Sequence, residues 1–281
     1  MHFSRTAKAT ALGLALAASP ALAQDGANRD SHFDGPYVSG FFGWGAQTND
    51  NGETIRFDTN GDGRYNDSVN TAAGANAFTG FCHGEARTEL ASGGCASDAD
   101  GIDYGGRIGF DRRMNGNFVV GGLLEFNKNE AKDGTSAFSS TPASYGIVRQ
   151  LDYAVSARAR AGYTPGGGAL FYVTGGGSYA RIDHRFFTTN NVNAFDDRRD
   201  HKMVWGWQAG GGGEVMLTDQ VSLGLEYLYN RYHDDKYRVA VTQGGAPATN
   251  PFILQSGQTN LRMGDKTFEL HTLRATVSYQ F

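Results

Sequence analysis

The 281-residue sequence has only 2 Cys, 6 Pro and 3 Trp, has no basic surplus, and carries no long apolar run. Each shortage excludes something. Two cysteines, Cys82 and Cys95, with no Cys-His cluster of zinc spacing around them, do not make a thiolate metal centre or a catalytic thiol. A net charge of -4 leaves no basic stripe of the kind that nucleic-acid binding needs, so no nucleic-acid partner is expected. A stretch of about 20 apolar residues is missing, and with it any transmembrane helix. The mean hydropathy of -0.43 resembles that of a soluble protein. It does not exclude a membrane barrel, whose lipid-facing and lumen-facing residues alternate and average out. What is plentiful is 40 Gly, 18 Phe and 13 Tyr, a mixture unusual for a helical domain and ordinary for a sheet closed on itself.

The N-terminus reads as a cleavable export signal, residues 1–23. Arg5 and Lys8 make a positive start, Ala9 to Ala18 an apolar stretch, and Pro20 with Ala21-Leu22-Ala23 a small-residue cleavage site before Gln24. Removing Arg5 and Lys8 takes the net charge from -4 to -6. In an exported chain, Cys82 and Cys95 are expected to form a disulfide closing a short loop, worth about 3 kcal/mol if unstrained. Residues 24–36 are expected to form a periplasmic N-terminal segment, and 37–281 the folded domain.

Period-2 alternation dominates from Tyr37 onward. Candidate strands run over Tyr37–Ala46, about Ile102–Arg113, Phe118–Lys128, a fourth through Leu151–Tyr163, about Leu170–Phe187, Met203–Leu217, a seventh from Val221, and about Thr267–Phe281. In the fourth, Leu151, Tyr153, Val155, Ala157, Ala159, Ala161 and Tyr163 share one face, and Asp152, Ser156, Arg158 and Arg160 the other. Asn115-Gly116-Asn117, Pro165–Gly168 and Thr218–Gln220 read as tight turns. Long loops fall near 47–101, 129–149, 188–202 and 234–266, alternating strictly with those turns. Short turns on one side, long loops on the other and an even strand number are the outer-membrane arrangement. The predicted fold is therefore all-β: an eight-stranded antiparallel transmembrane β-barrel with long external loops.

The presumed inner face carries Arg107, Glu125, Arg158, Arg160, Glu214, Glu226 and Arg274. Such charges would cost about 2–4 kcal/mol for an Arg facing lipid at the midplane. Inside a small barrel, whose interior is just wide enough for side chains, they can pair and seal the lumen. Tyr37, Tyr104, Phe118, Tyr163, Tyr227 and Tyr279, near strand ends, are expected in interfacial girdles.

Gly35–Gly45 (GPYVSGFFGWG), Tyr172–Ile182 (YVTGGGSYARI) and Leu273–Phe281 (LRATVSYQF) resemble the first, fifth and last strands of small alphaproteobacterial outer-membrane barrels of the OmpA-like superfamily. The resemblance covers most of 35–281 apart from the loops. It implies recognition of Val277, Tyr279 and Phe281 by the outer-membrane assembly machinery. It also implies a place in the bacterial outer membrane among lipid and lipopolysaccharide, with loops outside, and a role in envelope integrity or adhesion.

No cofactor is required by this reading. One loop, Asp58-Thr59-Asn60-Gly61-Asp62-Gly63-Arg64-Tyr65-Asn66-Asp67, opens like a calcium loop. Asp58, Asn60 and Asp62 would donate side chains and Arg64 its carbonyl. Position 12 is Val69 rather than the bidentate Glu, which Asn66 or Asp67 only partly replaces. The bland alternative is a solvated Asp/Asn/Gly turn. His184, His201, His233 and His271 lie near outer strand ends, but none sits in a His-x-Ser arrangement of the deacylase kind, so no enzyme is expected. A narrow porin-type channel is the alternative function, and a lipid A-modifying enzyme a more distant one. Loop 1 (47–101), much longer than a connection needs, is expected to pack as a disulfide-stapled subdomain and is where an external ligand or cell-surface partner would bind.

Overall fold

A computed structural model describes residues 32–47, 53–198 and 200–281. The expected signal 1–23, and residues 24–31 of the expected N-terminal segment, lie outside the described residues. Eight long strands follow one another: β1 (Gly35–Ala46), β2 (Gly101–Met114), β3 (Phe118–Asn129), β4 (Ala143–Tyr163), β5 (Ala169–Thr188), β6 (Met203–Met216), β7 (Val221–His233) and β8 (Thr267–Gln280). Each pairs antiparallel with its sequence neighbours, and β8 closes on β1 with Leu273 opposite Trp44. Closure leaves the eight-stranded wall without a free edge.

The short connections are where the sequence put them. Asn115 and Gly116 take positive φ (48° and 81°), the conformation an Asn-Gly pair favours in a hairpin. At the third turn the Thr218 hydroxyl accepts the Val221 backbone N–H at 3.0 Å.

Alternation sorts the wall into two faces. Phe42, Ile108, Val173, Trp205 and Leu273 point outward, each more than half exposed. An apolar surface on that scale is far beyond what a soluble monomer shows and is suited to lipid. The inward positions of the middle of the wall carry many polar residues, aromatics and glycines, with aliphatic side chains gathered toward its two ends. A Cβ on Gly109 would lie 2.4 Å from the Tyr37 ring, so this glycine makes room for a large side chain in the lumen. Tyr37 itself is 3 % exposed and under Arg160, 4.5 Å from guanidinium carbon to ring centre. The expected girdle role of Tyr37 is thus corrected: it has the parity of Ser39 and Phe41, which also face inward. Tyr104, Phe118, Tyr163, Tyr227 and Tyr279 do face outward.

A second correction concerns β4. The β4–β5 register slips so that Arg181 pairs with Tyr153 but Ile182 with Leu151, leaving Asp152 as an extra residue. Such a bulge reverses the faces of a strand. Leu151 therefore turns into the interior beside Ala154, away from the face of Tyr153 and Val155, and Asp152 meets Lys128 (3.3 Å) and Arg181 (3.6 Å) at the margin.

Beyond the bulge the wall continues outward into stretches expected to be loop. Residues 129–149 form a hairpin: Lys132–Ser139 pairs with Ala143–Gln150 of β4, and Phe78–His83 of loop 1 adds to its edge. A four-stranded sheet, in the order Ala194–Arg198, Arg238–Thr242, Thr259–Met263 and Ile55–Asp58, draws on loops 3, 4 and 1. Ile55, Val239 and Leu261 of this sheet share one buried cluster with Phe78, Tyr145 and Ile147 of the extended wall. Phe78 sits centrally, its ring 4.4 Å from Phe57 and 5.3 Å from Tyr145. Loop 1 is accordingly no separate subdomain. Its strands are split between two sheets whose apolar faces can be buried only against each other.

Candidate functional site

Two polar systems stand out, one inside the barrel and one where the barrel meets its cap. All seven expected luminal charges are at most 3 % exposed. Register sets Arg107 opposite Glu125 and Glu226 opposite Arg274 across adjacent strands, at 3.6 and 3.7 Å, and the hydrogen bonds between them run across the lumen. Arg107 donates to Glu226 at 2.8 Å, Arg274 to Glu125 at 2.6 Å, and Arg158 bridges the two glutamates. Tyr172 adds a hydroxyl to Glu226 at 2.9 Å. Nearer the turns, Arg160 pairs with Glu214 (2.7 Å) and Asp111.

Sequence reasoning missed two members, Asp103, which pairs with Arg274, and Asp111. Both were legible: they lie four residues either side of Arg107 on the same face of β2. Among the described residues, four arginines and five carboxylates thus join in the lumen. Removing one member of such a set costs about 3–5 kcal/mol, because the remaining charges stay buried without compensation.

Apolar layers bound this charged section at both ends. Toward the cap, Leu151, Ala154, Ile182, Tyr232, Phe268 and Leu270 belong to one buried cluster. Toward the turns, Phe33 packs with Val119, Leu170 and Tyr172. Phe33 is held there by its backbone N–H, which donates to the Gln280 side chain at 2.9 Å.

Beyond the apolar layer on the cap side, Arg149 is fully buried and faces three carboxylates, Asp133 at 2.6 Å, Asp265 at 3.2 Å and Asp234 at 3.5 Å. It also donates to the Thr267 carbonyl at 2.6 Å. His184 lies between Asp234 (2.8 Å) and Asp200 (3.3 Å), its ring stacked 4.2 Å from that of Tyr237. Burial pushes the Asp234 carboxyl up, but the His184 hydrogen bond and the Arg149 charge outweigh it and hold it below its ordinary value. This knot ties β4, β5, loop 2 and loop 4 together. None of its members was singled out from sequence except His184, because they come from stretches read as loop or from beyond the bulge.

The remaining expected residues are found as follows. Cys82 and Cys95 are bonded, with Cα atoms 6.1 Å apart, on the flank of the loop 1 strands. In Asp58–Asp67 the oxygens are engaged by backbone N–H groups: Asp58 accepts from Gly61 and Gly63, Asn60 from Asp62, and Asp62 from Arg64. Asp67 accepts from Thr59 at 2.8 Å. Asn66 lies in the same turn, and Asp58, Asp62 and Asp67 do not form a converging carboxylate group among the described residues. The groups that do converge are Asp183, Asp200 and His201, which are part-exposed, and Glu53, Asp98 and Asp133. His271 accepts or donates to Tyr227 at 2.6 Å on the outer wall, and His233 pairs with Asp235 at 3.3 Å. Val277, Tyr279 and Phe281 all face outward along the end of β8.

An apolar exterior, a charged interior and a closed eight-stranded wall agree with the family comparison: the family model described as outer membrane protein beta-barrel domain matches residues 138–281, half of the chain. The chain belongs to the outer-membrane β-barrel family. This outer-membrane barrel is 27% identical, over 141 residues, to the 31 kDa outer-membrane immunogenic protein of Brucella melitensis, and equally to that of Brucella suis. The match takes in 50% of the barrel chain and 58% of each relative, so it spans little more than half the length of the relatives. Among solved structures, the outer membrane protein OprG of Pseudomonas aeruginosa aligns with 89% of the barrel chain and 98% of its own, at 11% identity and a TM-score of 0.46. Neisserial surface protein A aligns with 88% and 97%, at 12% identity and a TM-score of 0.35.

Proposed function

We propose that this outer-membrane barrel is a sealed anchor for an external folded cap, serving envelope integrity or adhesion at the cell surface rather than conducting solutes or modifying lipid A. The observation that carries this reading is the lumen. Its cross-section is filled by mutually paired Arg107, Glu125, Arg158, Glu226 and Arg274, with apolar layers above and below. A pore for small solutes needs a continuous polar path, whereas here the polar section ends in buried Phe268 on one side and Phe33 on the other. The cap, with its own apolar core, is where a partner at the cell surface would be met. Each Brucella relative is named as an immunogenic outer-membrane protein, which is in keeping with an exposed cap.

Purified protein in planar bilayers tests the reading. No stable, sizeable openings are expected; reproducible channels would overturn the sealed barrel in favour of the porin-type alternative. Lipid A spectra are expected to be unchanged when the protein is expressed. Calcium at Asp58–Asp67 belongs to the same reading as an auxiliary ligand of loop 1, supported by the spacing of Asp58, Asn60 and Asp62 on one turn whose backbone N–H groups hold their side chains. Loss of calcium binding on Asp62→Ala is the expected result for that loop.

A further inference from the structure

Glu53, Asp98 and Asp133 meet where loop 1 abuts the loop 2 hairpin. Glu53 precedes the strand Ile55–Asp58, Asp98 precedes β2, and Asp133 lies on Lys132–Ser139. One carboxylate oxygen from each lies within 4.8 Å of the other two. Glu53 is 3 % exposed and Asp133 fully buried. Asp133 gives one oxygen to Arg149, and Asp98 accepts the Gly134 backbone N–H at 2.8 Å. The other oxygen of Asp133 and both oxygens of Glu53 are buried and receive no hydrogen bond. His83 Nδ1 lies 3.9 Å from Glu53, within ion-pair reach of it when the ring is protonated.

Buried carboxylates that receive no donor are costly, and three converging ones repel. Arg149 cannot settle the balance alone, since it also faces Asp234 and Asp265. A proton shared between Glu53 and Asp133 would satisfy one oxygen of each and leave the second Glu53 oxygen buried without a donor. A cation at the centre would engage one oxygen of each of the three carboxylates at once. Carboxylate oxygens alone favour a hard divalent ion. Two oxygens on one calcium, each about 2.3–2.6 Å from it, lie at most about 5 Å apart, so three oxygens within 4.8 Å of one another can share it.

We infer that Glu53, Asp98 and Asp133 form a calcium site that clips both ends of loop 1 to the loop 2 hairpin. The site is separate from Asp58–Asp67 and independent of whether the lumen conducts. Its donors come from three segments remote in sequence, so no linear motif announces it.

The test uses the full chain carrying Asp62→Ala, folded in detergent, stripped with a chelator and titrated with calcium chloride by calorimetry. One equivalent is expected to bind with a dissociation constant of about 1 mM or tighter, as extracellular modules do. Binding is expected to disappear in Glu53→Gln and in Asp98→Asn, each checked for folding by heat-modifiable gel migration. Calcium is also expected to slow protease cleavage of loop 1 in the unsubstituted chain, which needs no variant to fold. No heat at about 10 mM calcium, equal binding in folded Glu53→Gln, or cleavage indifferent to calcium would overturn the site and leave a shared proton in its place.

Discussion

The lumen and the cap of this outer-membrane barrel solve the same problem, filling an interior, by opposite means. The lumen is filled with charge: Arg107, Glu125, Arg158, Glu226 and Arg274 lie within one bonded network and are held in position by strand register. The cap is filled with apolar side chains around Phe78, Tyr145 and Leu261, and its polar knot at Arg149 is confined to the boundary. The wall's outer face must be apolar for lipid, so its alternation leaves the inner face to polar residues. The cap has water outside and turns its apolar face inward. The difference teaches that solvent on the far side of a sheet decides what lies on the near side.

The comparison breaks most visibly at Glu226. Glu226→Ala would leave Arg107, Arg158 and Arg274 short of a shared partner. It is expected to destabilise the barrel by about 3–5 kcal/mol, read as a lower temperature for the heat-modifiable shift on gels. Adding Arg107→Ala should recover part of the loss, and failure to recover would mean the charges do not act as a unit.

Phe78→Ala removes the ring at the centre of the cap core. About 3 kcal/mol is expected to be lost from the cap, seen as faster proteolysis of the loops while the heat-modifiable shift is retained. Loss of the barrel signal as well would show that the two interiors are one cooperative unit. Cys82→Ser is expected to loosen the same loop by about 2–3 kcal/mol, visible in proteolysis of oxidised protein and absent after reduction of both variants.

The smallest effect concerns pH. Asp234 has its carboxyl lowered in the folded protein, so its contribution is present above the ordinary aspartate value near pH 4 and fades as pH falls through the folded one. Cap proteolysis should rise below about pH 4, and the rise should be blunted in Asp234→Asn. An equal acid response in that variant would place the sensitivity elsewhere.

Most of the wall was legible because alternation is a strong local signal, and the tight turns carry residues that demand their conformations, Asn115-Gly116 above all. The luminal arginines and glutamates were legible for the same reason. Leu151 was misplaced because a single extra residue at Asp152 reverses parity, and nothing local marks it. Tyr37 was assigned by chemistry, as an interfacial aromatic, when its parity with Ser39 put it inside. The cap strands stayed hidden because they are short, such as Ile55–Asp58, and become strands only through partners in other loops.

That shared construction has a consequence for how the cap is seen from outside. Its surface is assembled from all four loops, which pair strand by strand across as many as two hundred residues of sequence, as Leu261 does with Phe57. An antibody raised against the intact protein should therefore recognise a discontinuous epitope and ignore any one loop presented as a peptide. For the same reason the four loops are not free to vary independently, since a change in one alters the bedding of the others.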